Sequence, residues 1–266
     1  MGRSCASVQN FFRTIDHFPQ HRANLAALES LSTVARHRGG SRSAAFPRRI
    51  PVVVHVLHST PDDKISKAQV DSQIAVLNED YNGKNADHDR VPEAFKRFVG
   101  NPGLEFVLAT TGPDGKATDG ITYTATTVRD FTVDDRMKSD QSGGKSPWDT
   151  TRYLNIWVCT LRDGLLGYAQ FPGGNPATDG VVITTQAFGR GAEFDLLASF
   201  NRGRTATHEI GHYLNLFHIW GNDILPNCTD SDSVTDTPNQ FGPNTGKPAF
   251  PHHSCGNDGD GDMFMN

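Results

Sequence analysis

The sequence is short of cysteine, of excess basic charge and of long apolar runs, and each shortage narrows what the chain can be. Four cysteines in 266 residues (Cys5, Cys159, Cys228 and Cys255) are too few for a disulfide-built scaffold, and no two are spaced as Cys-x-x-Cys. Lys and Arg number 25 against 30 Asp and Glu, a net charge of −5, so no broad basic face for nucleic acid is expected. The run Val52-Val53-Val54 stops at His55, and nothing reads as a bilayer span. The opening residues lack the basic-then-apolar pattern of a secretory signal. Two readings follow: a cytosolic protein, or an exported one whose signal is not part of this sequence. What is present is globular in character, 36% hydrophobic residues with 26 glycines, in a length that suits one large domain or a domain with an accessory segment.

Residues 1–45 differ in composition from the rest. Leu25, Leu28 and Leu31, with Ala26 and Ala27, suggest a short amphipathic helix, and Arg36 to Ser43 reads as an exposed linker. Globular structure is expected to begin at Ile50, which sets the division into 1–49 and 50–266. Pro51–Leu57 is β-branched and continuous, as in a strand buried on both faces. Ser66 with Gln69 forms a capping box, and Val70, Ile74, Leu77 and Tyr81 keep helical spacing, so 66–81 is expected to be a helix. Strand patterns return at Leu104–Thr110, Ile121–Thr127, Tyr153–Thr160, Gly167–Phe171 and Gly180–Thr185. A second helix is expected from Arg204 to Leu214, and beyond Gly221 the chain is rich in loop-forming residues. The imperfect alternation of strands and helices favours an α+β arrangement.

The chemistry is concentrated in His208-Glu209-Ile210-Gly211-His212-Tyr213-Leu214-Asn215-Leu216-Phe217-His218. On a helix, His208 and His212 project from one face a turn apart, close enough for both imidazoles to reach one zinc ion. Glu209 sits beside them, placed to accept a proton from water rather than to ligate. His218 lies six residues past His212. A straight helix would carry it about 600° around and about 9 Å along the axis, too far to share the metal. The helix must therefore end near Asn215, a residue type that tolerates the left-handed conformation a sharp turn needs. Three neutral nitrogens leave a fourth coordination position open, the pattern of a catalytic rather than a structural zinc.

This segment resembles the His-Glu-x-x-His-x-x-Gly-x-x-His pattern of the metzincin zinc peptidases, with Asn215 in place of the usual glycine. The surrounding RTATHEIGHYLNLFHIWG, the upstream LLGYAQFPGG and DGVVITT, and the downstream DSVTDTPNQ and GDMFMN are similar to the pappalysin (cytophagalysin) family over about residues 48–266. The resemblance implies a zincin-like (metzincin) fold: a twisted, mostly parallel sheet, an active-site helix and an irregular C-terminal subdomain. It implies zinc on His208, His212 and His218, Glu209 as general base and acid, and a protein or peptide substrate. It implies a Cys228–Cys255 disulfide, which would accord with a secreted enzyme. It also implies calcium near Asp232, Asp236 and Thr237, oxygen donors of the kind calcium takes.

Gly167, Tyr168 and Ala169 match the edge strand along which such enzymes pair an extended peptide. Pro-segments of the family can carry a cysteine that caps the zinc, a part that Cys5 would play, with Arg48-Arg49 as the expected processing junction. Cys159 reads as a core residue. The family's Phe-Met-Asn is followed by a Tyr-Met-Asp-Tyr segment that forms the Met-turn. On that expectation the domain is incomplete at Asn266, and Met263 and Met265 are not the Met-turn methionine. The competing expectation is a non-catalytic, zinc- or calcium-stabilised interaction domain, against which an intact Glu209 argues.

Overall fold

The computed structural model describes residues 4–37, 48–222, 225–244, 246, 249–256 and 261–262, with the backbone alone for 32–37. The chain forms two compact units, Met1–Asn85 with Asn101–Leu214, and Ala86–Gly100 with Asn215–Asn266.

The first unit is built on a seven-stranded sheet. Its elements are β1 (Ser4–Cys5), α1 (Ser7–His17), α2 (Gln20–His37), β2 (Arg48–His58), α3 (Lys67–Asp80), β3 (Leu104–Leu108), β4 (Ile121–Ala125), β5 (Leu154–Cys159), β6 (Leu165–Ala169) and β7 (Val181–Thr184), and α5 (Arg204–Tyr213) closes it. The intervening α4 (Glu93–Lys96) belongs to the second unit. The long strand β2 is the spine. Its first half pairs with β3, its second half with β4, and β5 lies along its other edge, all parallel. β5 pairs parallel with β7, and β6 runs antiparallel to β7. The expected α+β fold with a mostly parallel sheet is the one observed.

Val52, Val54 and Val56 of β2 and Ile156 and Val158 of β5 face one core, into which α3 inserts Val70 and Leu77 and α5 inserts Ala206 and Ile210. Burial on both faces explains why β2 and β5 read as unbroken hydrophobic runs. α3 starts where its capping pattern places it, with the Ser66 side chain accepting from the Gln69 amide. Two hydrogen bonds tie α3 to α5: Tyr81 Oη donates to Thr207 O at 3.0 Å, and Thr207 Oγ1 donates to Asp80 at 2.7 Å.

The N-terminal residues depart from expectation. Instead of one helix near Leu25 there are two, and Leu28 and Leu31 are exposed, the buried residue among the described side chains of α2 being His21. His21, fully buried, reaches Phe171 O at 3.0 Å, and Asn24 donates to Gly173 O at 2.8 Å. The sheet also begins two residues before Ile50, since Arg48 and Arg49 pair with Leu104 and Glu105. Residues 38–43 of the expected linker lie outside the described residues. No helix among the described residues is long and apolar enough to cross a membrane.

Among its described residues the second unit has little regular structure. It holds the Cys228–Cys255 disulfide, with sulfurs 2.01 Å apart.

Candidate active site and metal centre

α5 begins at Gly203, in the left-handed region at φ 73°, and its last amide bonds end at Leu214. It can lie close against β6 because residue 167 is glycine. A Cβ there would meet Val182 O at 2.7 Å and Glu209 Cγ at 3.1 Å. This approach brings the helix's Glu209 to the strand proposed to pair with substrate.

On α5 the Nε2 atoms of His208 and His212 face one another at 3.1 Å. Two nitrogens bound tetrahedrally to one zinc at 2.0–2.1 Å would be about 3.3 Å apart, so the pair fits a shared ion without rearrangement. Burial, then the neighbouring His212, pushes His208 down to about 3, keeping it in the neutral form a metal requires. His212 is buried, with its ring against the edge of Phe171. The Cys5 sulfur joins them: it and the two imidazoles offer ligand atoms all within 4.8 Å of one another.

Glu209 is 1% exposed. Its Oε2 accepts from Ser7 Oγ at 2.7 Å and from the Cys5 thiol at 3.4 Å, whereas its Oε1 is buried and has no hydrogen-bond partner among the described residues. Burial pushes the carboxyl up to about 7 against the opposing pull of Ser7 and Cys5. A carboxylate with one oxygen uncommitted beside the neutral His208 can exchange a proton with water. Burial, and next the Glu209 charge, raises the Cys5 thiol.

Asn215 takes φ 75°, which is the expected left-handed turn at the end of the helix. The chain then enters the second unit, where His218 is buried, its ring stacked on Trp220 with centroids 4.5 Å apart and its backbone carbonyl accepting from the Gly221 amide at 2.8 Å.

Strand β6 differs from expectation in two respects. It spans 165–169 rather than 167–171, and its outer edge is occupied by the N-terminal segment. The Ala6 amide donates to Gly167 O at 3.0 Å, Ser7 Oγ accepts from the Ala169 amide at 2.8 Å, and Asn10 donates to Ala169 O at 3.1 Å. Tyr168 turns inward, fully buried, with its hydroxyl on Asp135 at 3.0 Å, so only its backbone faces the edge. Ser7, Asn10 and Arg13 were not legible beforehand; isolated polar residues on a helix carry no such signal.

In the second unit Asp232 Oδ1 accepts from the Val234 amide at 2.9 Å. Burial raises its carboxyl against a hydrogen bond from Thr237, with Asp236 adding to the rise. Among the described residues, Asp232 and Asp236 do not gather with a third His, Cys, Asp or Glu donor. Cys159 is buried in the core, as expected.

Known proteins resemble this arrangement. Residues 137–258 match the model of the peptidase family M43, described as pregnancy-associated plasma protein-A. Mature mirolysin of Tannerella forsythia, solved with a cleaved peptide, is 48% identical with a TM-score of 0.78, over 83% of this chain and 82% of that one. A promirolysin point mutant from the same organism is 43% identical with a TM-score of 0.87, over 99% of this chain and 85% of that one. An extracellular metalloprotease of Arthroderma gypseum is 31% identical over 78% of this chain, which spans 62% of that relative's length. On the strength of these matches, the chain belongs to the pappalysin family of metallopeptidases.

Proposed function

We propose that the protein is a zinc-dependent endopeptidase acting on proteins or peptides outside the cell, held latent by residues 1–49. The observation that carries the reading is the uncommitted Oε1 of Glu209 beside two histidine nitrogens set 3.1 Å apart. His208, His212 and His218 would hold the zinc, with the turn at Asn215 redirecting the chain toward the third position. When bound, zinc supplies a Lewis acid for the carbonyl and lowers the pKa of water. Glu209 takes the proton of the attacking water and returns it to the departing amine. Gly167 O and the amide and carbonyl of Ala169 pair with the peptide backbone once the N-terminal segment leaves.

Latency is supported by that segment's contacts. Cys5 and Ser7 engage Glu209, and Cys5 sulfur lies where it could also ligate the metal. The mature neighbour matches 83% of the chain, whereas the pro-form matches 99% of it, as expected if the additional matched residues belong to a removable segment. Arg48 and Arg49 are paired in β2, which disfavours cutting between them while that pairing holds. Extracellular action accords with the names of the fungal relatives and with the disulfide. The interaction-domain alternative is not favoured, since it gives Glu209 nothing to do.

The test is the full chain, processed by limited proteolysis, with and without Glu209→Gln. The expected result is one bound zinc in both and peptide cleavage in the wild type alone. Equal turnover by the variant would overturn the role of Glu209. Calcium at Asp232, Asp236 and Thr237 belongs to the same proposal. Calcium-selective chelation is expected to lower the melting temperature of the wild type but not of Asp232→Ala, and an equal response from both would reject the site.

A further inference from the structure

We propose that Asp135 forms the floor of a recognition pocket beside β6 that takes a basic side chain, arginine above all, of the peptide to be cleaved, and that Arg13 fills this pocket in the uncut chain. The proposal rests on the reading of residues 1–49 as a removable segment.

Asp135 sits at φ 59°, with its side chain 8% exposed. Its two oxygens have different partners. Oδ1 receives the Tyr168 hydroxyl at 3.0 Å and the Lys138 ammonium at 2.8 Å. Lys138 is itself fully enclosed: it donates to Thr178 O at 2.7 Å and lies over the rings of Trp157 and Tyr168, 5.3 and 5.0 Å from their centroids. That lysine is a fixed counter-ion of the core. Oδ2, by contrast, takes its hydrogen bond from the Arg13 guanidinium, which reaches it from α1 while remaining 31% exposed. Asn10 Oδ1 orients the same guanidinium nitrogen from 2.7 Å.

Arg13 belongs to the segment that already stands in for a peptide on β6, through Ala6, Ser7 and Asn10. Loss of that segment frees the strand edge and Asp135 Oδ2 together. Burial pushes the Asp135 carboxyl up, but Lys138 and Arg13 outweigh it and hold the group below the usual carboxylate range, so it is ionised at neutral pH. A nearly buried, ionised oxygen that has lost its donor is costly, and a planar guanidinium restores the bond with the geometry Arg13 supplies. Gly167 marks the level of Glu209, and Ala169 lies two residues, about 7 Å, further along the strand. Asp135 meets β6 through Tyr168, which lies between Gly167 and Ala169, so the pocket is expected to take a side chain within a few residues of the bond that breaks.

The first test needs no catalysis. In the full chain, Arg13→Ala leaves a guanidinium-sized space, and methylguanidinium is expected to raise its melting temperature. Methylurea, nearly the same shape without charge, is expected to leave it unmoved. The wild type and the double variant Arg13→Ala/Asp135→Asn are expected not to respond to either. Equal response to the two compounds, or a response surviving in the double variant, would overturn the pocket.

The second test scans Arg, norleucine and Glu through each position of a peptide cleaved by the processed full chain. One position is expected to favour Arg about tenfold in kcat/KM, a ratio that falls to near one in Asp135→Asn. No preference, or one that persists in the variant, rejects the substrate role. Absence of all cleavage would count against the peptidase reading instead, and the pocket would stand or fall on methylguanidinium.

Discussion

The Ser7 hydroxyl donates to Glu209 Oε2 at 2.7 Å and at the same time accepts from the Ala169 amide at 2.8 Å. One side chain of the N-terminal segment thus fastens the proposed base to the proposed substrate strand. Hydrogen bonds to charged groups contribute about 1.5–3 kcal/mol, which is worth at least a tenfold change in how often the segment lifts. Ser7→Ala in the uncut chain is expected to raise basal hydrolysis of a quenched peptide by roughly that factor. Cys5→Ala is expected to raise it as well. Background rates unchanged by Ser7→Ala would remove this bond from the latency account.

The full chain is expected to carry about one zinc per molecule. His212→Ala is expected to lose it, because the 3.1 Å pairing with His208 leaves no other imidazole on that turn of α5. His218→Ala is expected to do the same, and mass-spectrometric metal analysis after dialysis decides both. Zinc retained by His218→Ala would take the third histidine out of the ligand set while leaving the pair in place.

What was legible in the sequence was local. The Ser66–Gln69 cap, the spacing Val70-Ile74-Leu77 and the i, i+4 histidines each define their own geometry within a turn or two, and each appears as expected. Asn215 was legible for the same reason: a residue that tolerates positive φ stood where the helix had to stop. Leu25, Leu28 and Leu31 do lie on a helix, α2, but helical spacing says nothing about whether a core exists to receive them, and Leu28 and Leu31 are exposed. Ser7, Asn10 and Arg13 gain their meaning from Ala169 and Asp135, more than a hundred residues away, and no pattern in a single sequence connects them.

Gly167→Ala is expected to destabilise the fold by about 1–3 kcal/mol, the usual cost of overfilling a packed site. The added methyl would press on Val182 O at 2.7 Å, a backbone atom of the neighbouring strand that cannot swing aside, and on Glu209 Cγ at 3.1 Å. Denaturant unfolding measures the loss. Peptide hydrolysis by the processed protein is expected to fall with it, since the same methyl displaces the base. Unchanged stability would mean that α5 does not approach β6 as closely as described.

His55 makes the stability of the first unit depend on pH. It is fully buried in β2, with Nε2 on Asn155 Oδ1 at 3.0 Å and Nδ1 on Thr122 Oγ1 at 2.7 Å, and the rings of Trp148 and Trp157 lie beside it. Burial is the main cause that pushes it down from 6.5 to about 4. The Asn155 hydrogen bond and Asp140 oppose that shift, and Lys145 adds to it. Between those two pH values the unfolded chain binds a proton that the folded chain refuses, so stability rises with pH across that window. The contribution is complete above about pH 6.5, declines as pH falls toward 4 and is exhausted below it. Its full size is about 3 kcal/mol, from 1.36 kcal/mol per unit of pKa. His55→Gln removes the titrating group, and its unfolding free energy is expected to fall less steeply between pH 6.5 and 4 than that of the wild type. Parallel slopes for the two proteins would show that His55 takes up its proton in the folded chain as readily as in the unfolded one.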